Sequence, residues 1–550
     1  MEKRAGVPQC SLRDYEREFQ DRHLLQGVLA KWAAARPHAP AIINRDRRQG
    51  VDWAPVEETT TALAMQLIRL GFRKGEYLAT SLPMLTEHVL LEYACFKIGV
   101  VHAPLDLRLR PPEVARCLGL IKPRGYVSLS PELGAAVQPG CPYVEHFLEV
   151  TALQELVARG KAGIGPGVEA AYREAAAAVR EQDGAQVIFT TGSTGAPKPA
   201  LLSHRNITCQ NMCLGTAFAF DERTRLLVNL PPSHVAGQAE ALMTTLFFGG
   251  TAITLEVFDA ARSLEAIQEY KIDKLGQIPA MFNLEWRLAD QGRYDVSSLE
   301  MAIYGGQQVS RQFLERLARM APRIGTGLGL TECAGFCTYT ALEATVDEIA
   351  ASIGHDMPIY PMSIRQPMRE DGSAGEELPD GAIGHICFRG PQTFLGYVHD
   401  PESTAKTISR DGFLYTGDMG FKDAQGLHFA GRAKWVIKPA GYQVFPGDVE
   451  NHLCALAEKV ASSGAVGVEH KVFSEAIVAF VEKRPGVELT VKELKQHARG
   501  MASYMRPLHY VLVEAGQMPL NRAAKIDYVR LEQMAKEEVE KLRAQRRWDR

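Results

Sequence analysis

The stretch from Phe189 to Ala200 reads FTTGSTGAPKPA, and SHRN follows at Ser203–Asn206. Four small hydroxyl residues, Thr190, Thr191, Ser193 and Thr194, alternate with Gly192 and Gly195, and Lys198 closes the segment. Glycine permits positive φ and lets backbone come close to a ligand. The amides this frees, the hydroxyls and one ammonium can wrap a polyphosphate. The apolar Val187–Phe189 just before it predicts a strand, with the loop at its end. The pattern is not GxxxxGK[ST], because Ala196 and Pro197 separate the last glycine from the lysine. Taken alone, such a loop is equally a Gly/Ser/Thr surface turn.

The elements that must hold this loop follow from hydrophobic periodicity. Thr61–Leu70 and Glu87–Gly99 have helical spacing, and Tyr77–Leu82 and the VVHAPLD segment after it are strand-like. This alternation predicts an α/β layered sheet. Ala170–Ala185 is rich in Ala, Glu and Arg and reads as a surface helix. Short apolar runs end in turn residues at Leu226–Pro232, Lys274–Ala280, Ala302–Gly306 and Gly325–Glu332. Ligands of α/β sheets bind at such carboxyl ends. From about Gly381 the texture becomes short strands and tight turns, a β-rich subdomain. A further compact α+β pattern follows: a helix at Asp448–Lys459, two strands, and a helix at Val491–Gly500. We therefore expect a large α/β N-terminal domain over 1–430 and a small α+β C-terminal domain over 435–550, joined at 431–434.

Composition narrows the classes. A 550-residue chain needs more than one core. With 46% hydrophobic and 23% charged residues and a net charge of −3, it gives no reason to expect nucleic acid. The opening MEKRAGVPQC is not followed by an apolar secretory core, and no run is long enough to predict a membrane span. Ten cysteines are too few for a disulfide scaffold in a chain this long. Cys209/Cys213 and Cys333/Cys337 have CxxxC spacing without a second ligand pair, so buried thiols and a reducing cytoplasm are expected.

Seven motifs stand in one order: FTTGSTGAPK, LPPSH (Leu230–His234), YGGQ (Tyr304–Gln307), GLGLTE (Gly327–Glu332), YTGD (Tyr415–Asp418), GRAKWVIKPAGYQVFPGDVE (Gly431–Glu450) and PLNRAAKID (Pro519–Asp527). Together they closely resemble the adenylate-forming superfamily of acyl-CoA synthetases, aryl-acid ligases, peptide-synthetase adenylation domains and luciferases, from about residue 25 to 530. The resemblance implies a carboxylic acid:CoA ligase that uses ATP, Mg2+ and coenzyme A. A carboxylate attacks the α-phosphate to give acyl-adenylate and pyrophosphate, and a thiol then displaces AMP.

Residue by residue, the resemblance makes Thr190–Lys198 the loop for the β- and γ-phosphates, with Gly306, Gln307, Gly327, Leu328 and Gly329 also around the nucleotide. It makes Glu332 the magnesium ligand and Thr331 the α-phosphate contact. Asp418 would take the ribose hydroxyls with Arg432 beside it. Lys525 would bridge the substrate carboxylate and α-phosphate, Lys434 would be the hinge residue of a hinge at 431–434 about which a mobile C-terminal domain turns, and Gly441 would line the pantetheine tunnel after rotation. Pro199, Leu328, Trp435 and Ala524 depart from the family pattern. The acyl pocket falls by position on His234, Val235, Gly237, Gln238, Tyr304, Gly305, Gly306 and Gln307, with Leu328, Leu330 and Phe336 nearby. His234 could gate this pocket, stack on the acyl group or fill space. No acidic residue begins the LPPSHVAG segment and no basic residue stands among the pocket positions. The expected substrate is thus a neutral-tailed monocarboxylic acid, either aromatic, alicyclic or medium-chain, handled by a monomer or homodimer. A stand-alone loader of a carrier protein and a non-catalytic nucleotide-binding paralogue are the alternatives.

Overall fold

A computed structural model describes residues 6–191, 197–289, 292–520 and 525–549. The polyphosphate loop positions Gly192, Ser193, Thr194 and Gly195, and Ala524, lie outside the described residues.

Two seven-stranded sheets make up most of the large domain. In one, Arg323–Gly325, Met301–Tyr304, Lys274–Gln277, Arg225–Val228, Thr251–Thr254 and Pro40–Asn44 run parallel, and Gln49–Asp52 closes the edge antiparallel. In the other, the order is Gly396–Tyr397, Pro197–Ser203, Gly184–Thr191, Val101–Pro104, Tyr77–Ser81, Gly125–Ser128 and His146–Glu149. Helices Trp53–Arg69 and Thr86–Lys97 confirm the sequence periodicity, the first beginning eight residues before the expected start. Thr86–Lys97 runs between layers, so every residue of it but Glu87 is buried, including the polar Thr86, His88, Glu92 and Lys97. The expected helix at Ala170–Ala185 forms as Pro166–Ala178, with no buried residue.

The segment before the polyphosphate loop belongs to a hairpin: Gly184–Thr191 pairs antiparallel with Pro197–Ser203, in a register that sets Thr190 opposite Lys198. Lys198 is therefore a strand residue on the return arm. A four-stranded antiparallel sheet, Met362–Arg365, Gly384–Phe388, Leu414–Asp423 and Gly426–Arg432, forms the β-rich part, which begins some twenty residues earlier than the composition shift. The Gly325–Glu332 run leaves the large sheet after Gly325: a loop is tied to residues 337–340 by Leu328 N–H to Thr338 Oγ1 (2.8 Å) and Thr340 N–H to Thr326 O (3.0 Å), and Gly329–Leu330 then pairs as a short strand antiparallel to Gly335–Phe336.

The chain after Gly426–Arg432 turns through Ala433–Trp435 and builds its own sheet: Val460–His470 and Ser474–Lys483 antiparallel, with His509–Val513 parallel to the second. One apolar cluster forms on helices Pro446–Cys454 and Val491–His497, and another under Tyr528–Ala544. Nine of the ten cysteines are buried and all ten are free thiols. Among the described residues no helix is long and apolar enough to cross a membrane.

Candidate active site

The strands of the first sheet end where the chemistry-bearing loops begin. Arg225–Val228 leads to His234, Met301–Tyr304 to Gly306 and Gln307, and Arg323–Gly325 to Thr331 and Glu332. Gly306 has φ +89, a conformation open to glycine at little cost, and this turns its carbonyl outward. Lys525, from the C-terminal domain, donates its ammonium to that carbonyl 219 residues away in sequence. Burial holds the Lys525 pKa below the usual lysine range. Arg432 lowers it further and Asp418 works against both.

Asp418 and Arg432 face each other in the antiparallel register of Leu414–Asp423 with Gly426–Arg432. Their Nε–Oδ1 separation is 2.8 Å, with the carboxylate 3% and the guanidinium 57% exposed. The approach is off-axis, so Oδ1 remains a buried acceptor without a hydrogen-bond partner. Such an orphaned acceptor suits a diol, whose two hydroxyls need acceptors. Burial raises the Asp418 pKa to about 6, against the pull of Arg432 and Lys525.

Glu332 is held by a residue that the motifs did not mark. Tyr397 donates its hydroxyl to Glu332 Oε1 at 2.7 Å, and the Lys198 ammonium lies 5.1 Å over the Tyr397 ring. The strand Gly396–Tyr397 pairs with Ala200 and Leu201, which brings the phosphate-loop arm and the Thr331–Glu332 turn together. Desolvation and the neighbouring carboxylate raise the Tyr397 pKa, so the phenol stays protonated and donating. Nothing local in GYVHDPEST distinguishes this tyrosine, and its partner is 65 residues away.

Gly327 is needed for packing, since a Cβ there would collide with the Thr338 carbonyl. Leu328 keeps 8% of its surface and joins the main core. Its amide rather than its side chain makes the visible polar contact, with Thr338. Gly329 is exposed. Gly305, Gly327 and Gly329 all abut the Phe336 ring, which occupies the space that three side chains would fill.

Of the expected acyl-pocket residues, Tyr304 packs edge-on against Phe313 at 5.8 Å, in the core between the sheet and its outer helices, with 4% exposed. Gln238 is fully buried and its Nε2 lies 2.9 Å from His88 Nε2. His88 belongs to a buried polar group with Glu92 and His102, where His102 Nδ1 is 3.0 Å from Glu92 Oε1. Gly237 lies where a Cβ would strike the carbonyls of Leu230 and Pro231, and Val235 keeps 5%. His234 itself is open, and its Nδ1 accepts the Ala236 amide at 3.1 Å. Desolvation, with Lys525 and Arg108 as the nearby cations, lowers its pKa to about 4, so the ring is neutral.

The segment after His234 is a π-helix, Ala236–Met243, a rare form that is frequent at functional sites. Within it only Ala236 and Glu240 escape full burial. Glu240 was missed by sequence reading because a glutamate in a helix is by default a solvated one. The Lys434 ammonium rests 4.7 Å over the Trp435 ring, and Trp435 stacks on Tyr528. Gly441 is exposed at φ +85 with open space where a Cβ would stand.

The model of the family described as AMP-binding enzyme matches residues 29–398, and that of the AMP-binding enzyme C-terminal domain matches 448–525. A feruloyl-CoA synthase from an Amycolatopsis species is 30% identical over 494 residues, covering 87% of this chain and 94% of that one. ATP-bound MatB from Rhodopseudomonas palustris superposes with a TM-score of 0.81 at 23% identity, over 93% of this chain and 99% of that one. O-succinylbenzoate coenzyme A synthetase (MenE) from Bacillus subtilis, in complex with ATP and magnesium, gives 0.76 at 21% identity, over 91% and 98%. The chain belongs to the AMP-binding enzyme family, among its AMP-forming acid–thiol ligases.

Proposed function

We propose that the protein joins an aromatic, alicyclic or medium-chain monocarboxylic acid to coenzyme A in two steps at this cleft. The carrying observation is the Lys525 ammonium on the Gly306 carbonyl, within electrostatic reach of Asp418 and Arg432.

In the first step the acid's carboxylate oxygen attacks the α-phosphorus and the bond to the pyrophosphate oxygen breaks. Two anions must meet, so the reaction needs positioning and positive charge. Lys525 serves both reactants with one ammonium. Asp418 accepts the ribose hydroxyls, Arg432 flanks it, Thr331 contacts the α-phosphate, and Lys198 serves the outgoing phosphates. Glu332 is the magnesium carboxylate: Tyr397 occupies one of its oxygens, which leaves the second for an ion that usually takes one or two carboxylates with phosphate and water. When bound, that ion would neutralise phosphate charge. In the second step a thiol adds to the acyl carbon and AMP leaves. Lys525 must then withdraw, and the open turn at Gly441 fits a segment that meets its ligand only after the domain turns about Lys434. The name of the feruloyl-CoA relative supports the aromatic choice.

The test is pyrophosphate release from ATP and Mg2+ over benzoates, cinnamates, alicyclic acids and C4–C12 fatty acids, with and without coenzyme A. Release confined to one class, with matching acyl-CoA, is expected. Release without thioester would transfer the acceptor role to a carrier protein, and no release with any acid would refute the reading.

A further inference from the structure

The π-helix Ala236–Met243 passes through the interior, and six of its eight residues are fully buried. The two that keep accessible surface, Ala236 and Glu240, are four apart and share a face. His234, two residues upstream, is also open. Protein nevertheless surrounds both side chains closely enough for burial to dominate their titration, lowering His234 to about 4 and raising Glu240 to about 7. The open face that Ala236 and Glu240 share is the one from which a ligand can reach the helix, and so the wall that such a pocket would have.

The opposite wall fixes which pocket. Glu240 Oε1 accepts the Phe336 amide at 2.6 Å, and the Glu240 side chain fills the space beside Gly335. The Phe336 ring in turn abuts Gly305 and Gly329, next to the Gly306 carbonyl that holds Lys525. One chain of contacts thus runs from the reacting end through Phe336 to Glu240. Above pH 7, where Glu240 is ionised, its carboxylate has one oxygen engaged and still accepts further hydrogen bonds, and leaving it unmet in a desolvated space costs free energy.

We propose that Glu240 reads the far end of the acyl group, so that the preferred acid carries a hydrogen-bond donor there, a hydroxyl or an amino group. This rests on the ligase reading and narrows its substrate class from neutral-tailed acids in general to donor-tailed ones. An acid ending in methyl would bury the carboxylate without a partner. Sites built to bond a substrate hydroxyl discriminate strongly against analogues that lack it.

The experiment compares kcat/KM within matched pairs: 4-hydroxy- and 4-methylcinnamate, 4-hydroxy- and 4-methylbenzoate, the corresponding cyclohexanecarboxylates, and ω-hydroxy and plain fatty acids, with 4-amino analogues as a third arm. Wild type should favour the donor member of its best pair by at least ~10-fold. Glu240→Met should flatten that ratio to within about 3-fold, chiefly by improving the methyl member. Glu240→Gln keeps an acceptor for Phe336 and guards against misfolding. It should melt like wild type yet lose part of the preference, because a carboxamide offers a donor where the carboxylate offered only acceptors. A 4-amino acid ahead of its hydroxy analogue would identify the donor as nitrogen. A wild type that turns acids over but prefers methyl, or a ratio unmoved in both variants, would overturn this assignment and leave the ligase intact. If no acid yields AMP, the ligase reading fails and takes this one with it.

Discussion

Asp418 carries a conflict between stability and binding that can be measured. Its ordinary pKa of 3.8 is raised to about 6 by burial, so the folded protein resists the ionised form. The sign follows from proton linkage. Above pH 6 the folded state holds a charge that the unfolded state holds more easily, and stability is lost. As pH falls towards 3.8 the penalty fades, because both states become protonated. The difference corresponds to about 3 kcal/mol at pH 8 and about 1.5 kcal/mol at pH 5. Asp418→Asn removes the charge at nearly constant shape. Arg432 loses its partner, but at 57% exposure water replaces it at little cost. The variant should therefore melt higher than wild type at pH 8, with roughly half that gain at pH 5. It should also bind adenosine at least ~10-fold more weakly at pH 8, since a carboxamide cannot accept from both hydroxyls through both atoms. Adenosine is the right probe because it carries no phosphate to titrate. Scanning calorimetry and titration calorimetry at the two pH values give both readouts. A lower melting temperature at pH 8, or an equal gain at both pH values, would refute the burial argument. Unchanged adenosine affinity would refute the ribose role.

Lys525→Ala should slow acyl-adenylate formation by ~10²–10³-fold while a supplied acyl-adenylate still reacts with coenzyme A at near wild-type rate. Equal loss in both half-reactions, followed by pyrophosphate exchange and by thioester formation, would defeat the bridging role. Lys434→Pro should do the reverse by stiffening the turn at Ala433–Trp435, and thioester formation at the normal rate would rule out rotation there. Tyr397→Phe removes the hydrogen bond to Glu332 and should raise the magnesium concentration needed for half-maximal adenylation several-fold, with the KM for the acid unchanged. A shift in the acid KM alone would contradict it. Gly327→Ala should destabilise the large domain by more than ~2 kcal/mol, because its methyl meets the Thr338 carbonyl and backbone cannot give way cheaply. A wild-type melting curve would show that the loop has slack.

Much of the site is legible in the chain because its residues sit inside contiguous motifs. Gly306 has positive φ, Asp418 and Arg432 face each other across one hairpin, and Lys525 stands in the contiguous PLNRAAKID motif; each announces itself locally. Tyr397 does not, because its partnership with Glu332 is made by strand pairing between distant segments. Glu240 does not, because its meaning comes from enclosure, which no spacing encodes. Tyr304 illustrates the opposite failure: the motif places it beside two pocket glycines, yet the alternation of a strand sends its ring to the other face of the sheet, against Phe313. Ala170–Ala185 was legible as a helix but not in its bounds: the helix lies on the surface with no buried residue, only Tyr172 and Ala175 of it packing against the main core.

As a pivot, the turn at Ala433–Trp435 would divide the positive charges of the cleft by residence time. Arg432 ends the last strand of the large domain and Lys525 lies 93 positions later, beyond the turn. If the chain pivots at Lys434, the guanidinium stays with the nucleoside while the ammonium travels. The proposed cycle would then have a stationary grip and a visiting charge. AMP would remain held at its ribose throughout, and only its phosphate would register which half-reaction is under way. Nucleoside affinity should accordingly be the same whichever way the small domain faces, while affinity for the phosphate should change with it.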